Sequence, residues 1–154
     1  MKAPSRSTLV TLVFLVLGAL AGCSTGMSAR TATPNANFML RTTAKGPDAV
    51  VFDIKSYVLE RKWLYLAEFK LKNGEVTVVK LCVPSASKDI WAAGLHVSAL
   101  LPCGHIGVYQ EGGATQLSML DPRFMSRLNP DPNLEKAGDD LYPLLSTMLD
   151  AVSK

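Results

Sequence analysis

The chain has 154 residues, a formal net charge of +3 and 48% hydrophobic residues, a composition typical of a single globular domain with one core. Lys2 and Arg6 lie at the very start, so the chain without residues 1–22 would have a net charge of only +1. This near-neutral balance, without a basic stripe interleaved with aromatic residues, argues against nucleic-acid binding.

The first residues have the three parts of a secretory signal peptide. A basic start precedes an apolar run over 9–21, and small residues then lead to Cys23. A membrane-spanning helix needs about 18 or more apolar residues, so this run is too short to be one. The stretch Leu20-Ala21-Gly22-Cys23 resembles the lipobox of bacterial lipoproteins. That resemblance implies cleavage before Cys23 and acylation of its thiol, with palmitate among the acyl groups, and Ser24 resembles an outer-membrane sorting signal.

The region after Cys23 has the composition of a linker. Residues 24–46 are rich in Ser, Thr, Ala and Asn and have no sustained periodicity, although 37–43 is also compatible with an edge segment of the fold. We therefore expect a signal peptide over 1–22, a lipidated cysteine and flexible tether over 23–46, and a folded domain over 47–154. The expected location is the bacterial envelope, lipid-anchored at the outer membrane and facing the periplasm.

The first half of the expected domain combines one helix with two strands. Pro47 signals a helix start, and apolar residues at helical spacing predict a helix over 47–61. The alternating segment 63–72 predicts a strand, and the turn dipeptide Asn73-Gly74 joins it to a second strand over 75–83. The residues expected on one face of the first strand are Trp63, Tyr65, Ala67, Phe69 and Leu71, and those on one face of the second are Val78, Lys80 and Cys82.

Shorter elements are predicted next. Serines 85 and 87 are candidate N-caps of a short helix, and 95–101 is predicted to be extended. Strands are predicted on both sides of the Gly112-Gly113 turn, because glycine supplies the backbone freedom that a hairpin requires. Asp121-Pro122 then signals a brief helical turn.

The last predicted element is an amphipathic helix over 134–152. Pro143 lies inside this pattern, so the helix either kinks there or begins near Asp139, because proline lacks a backbone N–H and clashes one turn back. The approximate order of all elements is α-β-β-α-β-β-β-α. This order predicts an α+β fold, a single domain with helices packed on a mostly antiparallel sheet.

The most distinctive motifs lie between residues 79 and 122. They are "VVKLCVP" and "LLPCGHIGVYQEGGATQLSMLDP". In these motifs the chain resembles the domain of unknown function 302 family, and the likeness extends over about 47–153. The resemblance implies a compact α+β domain that pairs as a dimer, without an established activity. Many relatives have an arginine directly after the Pro-Cys, where this chain has Gly104 and then His105. If that arginine serves an anionic ligand, its absence argues against such binding here.

With Cys23 acylated, Cys82 and Cys103 are the remaining thiols, and three interpretations stay open. In the first interpretation the two cysteines are buried apolar residues or form a static disulfide, and such a disulfide would stabilise the domain by about 3 kcal/mol. Alternatively, they form a redox or sulfur-carrier pair in which His105, two residues after Cys103, raises the thiolate fraction. In the third interpretation the two thiols and His105, with His96 as a further ligand, bind copper or zinc.

No motif in the sequence specifies a reaction. The chain has no nucleophile elbow, no phosphate-binding loop and no close-spaced pair of metal ligands, so we predict no cofactor and favour a function other than catalysis. The predicted function is a binding or accessory domain for an unknown small-molecule ligand, anchored to the membrane through Cys23. The alternatives are a thiol-redox or sulfur-carrier protein using Cys82 and Cys103, and a structural envelope lipoprotein.

Overall fold

Five strands form one antiparallel sheet. A computed structural model describes residues 36–100 and 104–154, so the predicted signal peptide, Cys23 and Cys103 lie outside the described residues. The strands lie side by side in the order β1-β5-β4-β3-β2, and every neighbouring pair is antiparallel. They are β1 (Phe38–Thr43), β2 (Leu64–Leu71), β3 (Val76–Cys82), β4 (His105–Glu111) and β5 (Ala114–Leu120).

The helices cover one face of this sheet. The two longer ones, α1 and α4, contact the sheet and each other, whereas α2 and α3 pack against α4. The predicted α+β class, with helices packed on an antiparallel sheet, is confirmed. The helices are α1 (Pro47–Glu60), α2 (Ser87–Ala92), α3 (Phe124–Leu128) and α4 (Pro132–Val152), and 3₁₀ turns occupy Lys72–Gly74, Pro84–Ala86 and Leu95–Leu100.

The core lies between the sheet and its helices. Successive residues of a strand point to opposite faces, so every second residue of β3 and β5, and Ile106 and Val108 of β4, are buried under the helices. The compact unit Thr33–Lys154 contains every described strand and helix. None of the described helices is long and apolar enough to cross a bilayer. Fully buried side chains include Ile54, Leu81, Ile106, Leu117, Leu141 and Met148.

One edge of the sheet comes from the segment expected to be a tether. Phe38–Thr43 pairs with β5 along its whole length, from Phe38 opposite Leu120 to Thr43 opposite Thr115. Met39 and Thr43 are buried while Leu40 is exposed, which is the alternation of a strand with one face on the core. The folded part therefore includes residues before 47, and its element order is β-α-β-β-α-β-β-α-α.

The segment after α2 is helical, and the predicted extended conformation was wrong. Gly94 has a φ of +112°, which ends α2 and turns the chain back. The amide of Val97 then donates a hydrogen bond to the Gly94 carbonyl, and the Val97 side chain is fully buried. A 3₁₀ turn over Leu95–Leu100 therefore replaces the extended segment, because the tight turn keeps the chain close to α2 while it buries Val97.

A β-bulge in β2 changes the face of half the strand. Tyr65 pairs with Leu81, but Ala67 pairs with Lys80, so one extra residue is inserted between them. Tyr65 therefore lies on the helix side, whereas Ala67 and the residues after it in step lie on the opposite side. The prediction that Trp63, Tyr65 and the alternating residues up to Leu71 share one face was therefore wrong. The bulge leaves no mark in the apolar pattern of the sequence, so the pattern could not predict it.

Helix α4 runs without a break past Pro143. Its N-cap is Asp131, whose carboxylate accepts a hydrogen bond from the Asn133 amide. Pro143 lies on the exposed side of the helix, where water can solvate the carbonyl that the missing N–H leaves unpaired. The alternative of a late start near Asp139 was therefore wrong, since three residues before it, Leu134, Ala137 and Gly138, are buried within the helix.

Candidate functional site

Two of the predicted site residues lie on the sheet face that the helices leave open. Cys82 is the half-buried last residue of β3, and His105 is the exposed first residue of β4. His105 pairs directly with Lys80, which is two residues before Cys82 and on the same face. The structure thus places Cys82, Lys80 and His105 on one face of two neighbouring strands, with Lys80 and His105 directly opposite each other, and the predicted shared face of Val78, Lys80 and Cys82 is as expected.

The other predicted site residues are not part of this group. Cys23 and Cys103 lie outside the described residues. His96 is exposed in the 3₁₀ turn after α2, where its ring lies beside the backbone of Gly94. Within residues 36–100 and 104–154, no three His, Cys, Asp or Glu side chains are close enough together to hold a metal ion.

Gly104 follows the Pro102-Cys103 pair, at the position where the family resemblance leads us to expect arginine in many relatives. It is buried, and its carbonyl accepts a hydrogen bond from the Leu81 amide at 3.0 Å. A Cβ at this position would overlap the terminal methyl of Met119. The Met119 side chain therefore fills the space that a residue larger than glycine would need.

The open face of the sheet is apolar at both edges. The row across its middle runs from Phe69 on β2 through Val78, Gly107 and Ser118 to Leu40 on β1, so small residues lie at the centre. Water-facing sheet surfaces are usually polar, and contiguous exposed apolar surface often marks a binding surface. The exposed large apolar residues of this face are Leu64, Phe69 and Leu71 on β2, Phe38 and Leu40 on β1, and Leu120 on β5, each between 42% and 52% exposed.

A second feature lies on the helix side of the sheet. A cavity of about 520 Å³ opens where α1 begins, above the ends of β2, β3 and β4. This volume is within the range of about 300–1,000 Å³ that small-molecule sites occupy. Its lining residues are Pro47, Asp48, Lys70, Gly74, Glu75, Thr77, Val108 and Gln110.

Thr77 is the most unusual residue of this cavity. It is only 5% exposed, yet its hydroxyl makes no hydrogen bond within the part of the chain that the structure describes. The other three buried polar residues, Thr43, Thr115 and Asp121, each have a partner. No fully enclosed side-chain polar atom among the described residues lacks a partner, so the Thr77 hydroxyl faces the open space of the cavity.

The first turn of α1 adds unpaired amides to the same cavity. Gly46 is the N-cap and has no side chain to accept hydrogen bonds from the helix amides. The first helical hydrogen bond is donated by the Val50 amide to the Gly46 carbonyl at 3.1 Å, so the amides of residues 48 and 49 precede it. The helix dipole makes this end of α1 electropositive.

The two carboxylates that line the cavity, Glu75 and Asp48, differ in how firmly they are paired. Lys72 and Glu75 form an ion pair at 2.7 Å, and the hydrogen bond to Glu75 raises the pKa of Lys72. Lys70 Nζ lies 3.9 Å from Asp48 Oδ1, and the two side chains are 62% and 93% exposed, so this contact is weak. The Lys70 ammonium therefore remains available to a ligand.

Sequence reasoning missed this cavity. Three polar residues of the cavity lie on the helix side of three different strands, far apart in the sequence. They are Lys70 on β2, Thr77 on β3 and Gln110 on β4. The one available signal was Thr77, a hydroxyl at an inward position of a strand whose other inward residues are Val79 and Leu81. Its significance depends on the missing hydrogen bond, which only the structure reveals.

The comparisons with known proteins agree on one family. Residues 41–152 match the family described as Domain of unknown function DUF302. The fold is similar to that in "Crystal structure of uncharacterized conserved protein DUF302 from Bacillus stearothermophilus", with a TM-score of 0.69 and 18% sequence identity over 78% of this chain and 100% of the other. A search of the curated proteins finds no match. Because the family match spans most of the chain, the protein belongs to the DUF302 family.

Proposed function

We propose that this protein is a lipoprotein of the bacterial envelope, anchored through Cys23 at the outer membrane, and that its DUF302 domain is a binding module that pairs with a second copy. The observation that supports pairing is the open sheet face, which is apolar at both edges. The anchoring rests on the lipobox-like Leu20-Ala21-Gly22-Cys23 behind a signal-peptide pattern.

The size of the open face suits a pair of chains. Five strands spaced by about 4.8 Å, each about seven residues long, make a face of about 24 by 23 Å. Two such faces packed together would bury about 1,100 Å² in total, which is above the roughly 1,000 Å² that a specific interface needs. Like surfaces on two copies are self-complementary in a two-fold dimer, and the large exposed side chains at the edges can interdigitate over the small central residues.

The pairing is tested by the molar mass in solution of residues 24–154, which include the whole compact unit. We expect a dimer by sedimentation equilibrium, and we expect Phe69→Asp on β2 and Leu40→Asp on β1 to convert it to monomer. Leu95→Asp is the matched control, because Leu95 is 80% exposed but lies in the 3₁₀ turn away from the sheet. Circular dichroism checks that each variant folds. A monomeric wild type, or dimers in both sheet variants, would contradict the proposal.

The anchor is tested in cells by fractionation and palmitate labelling. Cys23→Ser should release the protein from the membrane fraction and abolish labelling, whereas Cys82→Ser, the matched control, should leave both unchanged. Each buried methylene contributes about 0.8 kcal/mol to membrane binding, so loss of the acyl chains should give complete release. A Cys23→Ser protein that still fractionates with membranes would overturn this part of the proposal.

A thiol function is the second candidate, and the strand register favours it. The β3–β4 ladder runs without a shift from Val76 opposite Tyr109 to Lys80 opposite His105, and the Leu81–Gly104 hydrogen bond extends it by one pair. Cys82 comes directly after Leu81 in the sequence, and Cys103 comes directly before Gly104, so the two thiols flank the same described hydrogen bond. A disulfide needs two α-carbons within about 7 Å, and we propose that this pair meets the requirement.

In this second function, the two cysteines exchange electrons with a partner dithiol. The Cys82–Cys103 disulfide accepts two electrons and two protons and becomes two thiols, while the partner's two thiols become its disulfide. Intact masses of residues 24–154 with and without reductant should differ by two hydrogens, and alkylation should modify both thiols only after mild reduction. Identical masses, or a bond that only strong reductant breaks after unfolding, would exclude an exchanging pair.

A further inference from the structure

We propose that the cavity at the start of α1 binds the carboxylate group of a small organic molecule, held by the Lys70 ammonium, the Thr77 hydroxyl and the first amides of α1. This inference gives the binding module proposed above a ligand class. It rests on that binding function but not on the anchor or on pairing, because all the residues concerned belong to one chain and lie on the helix side of the sheet.

Apart from the Asp48 carboxylate and the Gln110 amide, the groups that face the cavity without a firm partner can donate hydrogen bonds. The Thr77 hydroxyl has no hydrogen bond within the described residues, and Lys70 has only a 3.9 Å contact with an exposed carboxylate. The α1 amides before the first helical hydrogen bond lack a side-chain cap. A helix N-terminus with a lysine and a hydroxyl beside it favours a bound anion through both charge and hydrogen bonds.

Thr77 carries this inference, because it lines the cavity, is only 5% exposed, and its hydroxyl makes no hydrogen bond within the described residues. No enclosed side-chain polar atom among the described residues lacks a partner, so this hydroxyl is open to the cavity and bonds there only to water or to a ligand. A ligand oxygen in the cavity would supply the missing partner. The cavity volume of about 520 Å³ leaves room for the rest of a small molecule beyond its carboxylate.

The acidic residues of the cavity favour a single negative charge on the ligand. Asp48 and Glu75 both line the cavity, and Glu75 is already paired with Lys72. A doubly charged phosphate would be repelled by both carboxylates more strongly than a singly charged carboxylate. A bound carboxylate also replaces Asp48 as the partner of Lys70, which releases an exposed side chain at little cost.

The test is a titration of ¹⁵N-labelled residues 24–154 with sodium acetate at constant ionic strength, monitored by amide chemical shifts. We expect saturable shifts centred on residues 48, 49 and 77. Lys70→Gln should weaken binding by about tenfold and Thr77→Val by about three- to tenfold, since each loses one hydrogen bond to a charged ligand. Thr77→Ser keeps the hydroxyl and should bind within about twofold of wild type.

The controls separate a site from general ionic effects. Lys88→Gln makes the same charge change on an exposed residue of α2 and should leave binding unchanged. Inorganic phosphate and glycerol are titrated in parallel and should bind more weakly than acetate. Tighter binding of either, no saturable shift, or equal binding by Thr77→Val would overturn the carboxylate site. A dimer that fails to bind acetate rejects this inference alone, and a monomer that binds acetate rejects the pairing alone.

Discussion

Thr115 and Thr77 lie on the same buried face of the sheet, and both flank the segment that leads into α1, but their surroundings differ. Thr115 donates a hydrogen bond to the Lys45 carbonyl at 2.6 Å. Lys45 in turn donates from its ammonium to Asp53 and to the Val152 carbonyl, so this side of the segment is closed by internal contacts. Thr77, on the other side, faces an open cavity and has no partner within the described residues.

The two threonines differ in what can bond to their hydroxyls. Thr115 is satisfied by the protein itself, whereas the Thr77 hydroxyl is open to the cavity, where water or a ligand can reach it. A few polar groups that converge on a cavity are typical of small-molecule sites. We therefore interpret the closed side as structural and the open side as the place where a ligand completes the hydrogen bonding.

The largest effect on the free energy of unfolding is expected at Asp121, the carboxylate among the buried polar side chains that have hydrogen-bond partners. Its oxygens accept hydrogen bonds from the Arg123 side chain at 2.6–3.2 Å and from the Arg123 amide at 2.9 Å. Asp121→Asn should lower the free energy of unfolding at neutral pH by about 2–3 kcal/mol, because it weakens charge-assisted bonds inside the fold. Denaturant unfolding measures this, and a loss below the detection limit would contradict the structural role.

The same carboxylate makes stability depend on acidic pH. Burial raises the pKa of Asp121, but the hydrogen bonds from Arg123 outweigh that and hold the pKa below its ordinary value. The stabilisation is therefore complete above the unfolded pKa of about 3.9 and is lost as the pH falls through the lower folded pKa. We expect the wild type to lose stability below about pH 4 more steeply than Asp121→Asn. Parallel pH profiles of the two proteins would contradict this.

Valine substitutions at the two threonines should differ in their effect on the free energy of unfolding. Thr115→Val removes the donor to the Lys45 carbonyl and should cost about 1–2 kcal/mol. Thr77→Val removes a hydroxyl that is open to the cavity and makes no hydrogen bond within the described residues, so it should change the free energy of unfolding by less than about 0.5 kcal/mol in the absence of ligand. Denaturant unfolding of both variants measures the two changes in the free energy of unfolding. Equal losses at the two positions would show that the hydroxyls are equally satisfied.

The smallest effects concern the two ion pairs of the same region. Lys45 and Asp53 are 2.5 Å apart and half-buried, whereas Lys70 and Asp48 are 3.9 Å apart and exposed. Asp53→Asn should cost about 0.5–1 kcal/mol, and Asp48→Asn less than about 0.3 kcal/mol. Thermal unfolding at low and high salt checks both values. A larger loss for Asp48→Asn would mean that Lys70 is firmly paired and unavailable to a ligand.

Much of the fold could be predicted because its elements have strong local patterns. The β4–β5 hairpin around Gly112-Gly113 and the apolar stripe of α4 follow from glycine turn chemistry and helical spacing. The bulge after Tyr65 and the uninterrupted passage of α4 through Pro143 could not, because both depend on tertiary packing. Strand β1 was only one of two options for 37–43, since an edge strand has a weak pattern of its own.

The candidate site could be predicted only where a single strand determines it. The shared face of Lys80 and Cys82 follows from strand alternation. The cavity depends on the register of three strands and on where α1 starts, which bring Lys70, Thr77 and Gln110 to one corner. No spacing within the sequence encodes that arrangement.

The most direct measurement is a crystal structure of residues 24–154 grown with acetate. We expect the carboxylate inside the cavity at the start of α1, with its oxygens about 2.7–3.2 Å from Lys70 Nζ and Thr77 Oγ1. An acetate-free cavity in which the Thr77 hydroxyl donates to a protein carbonyl would contradict the claim that a ligand completes this side of the fold.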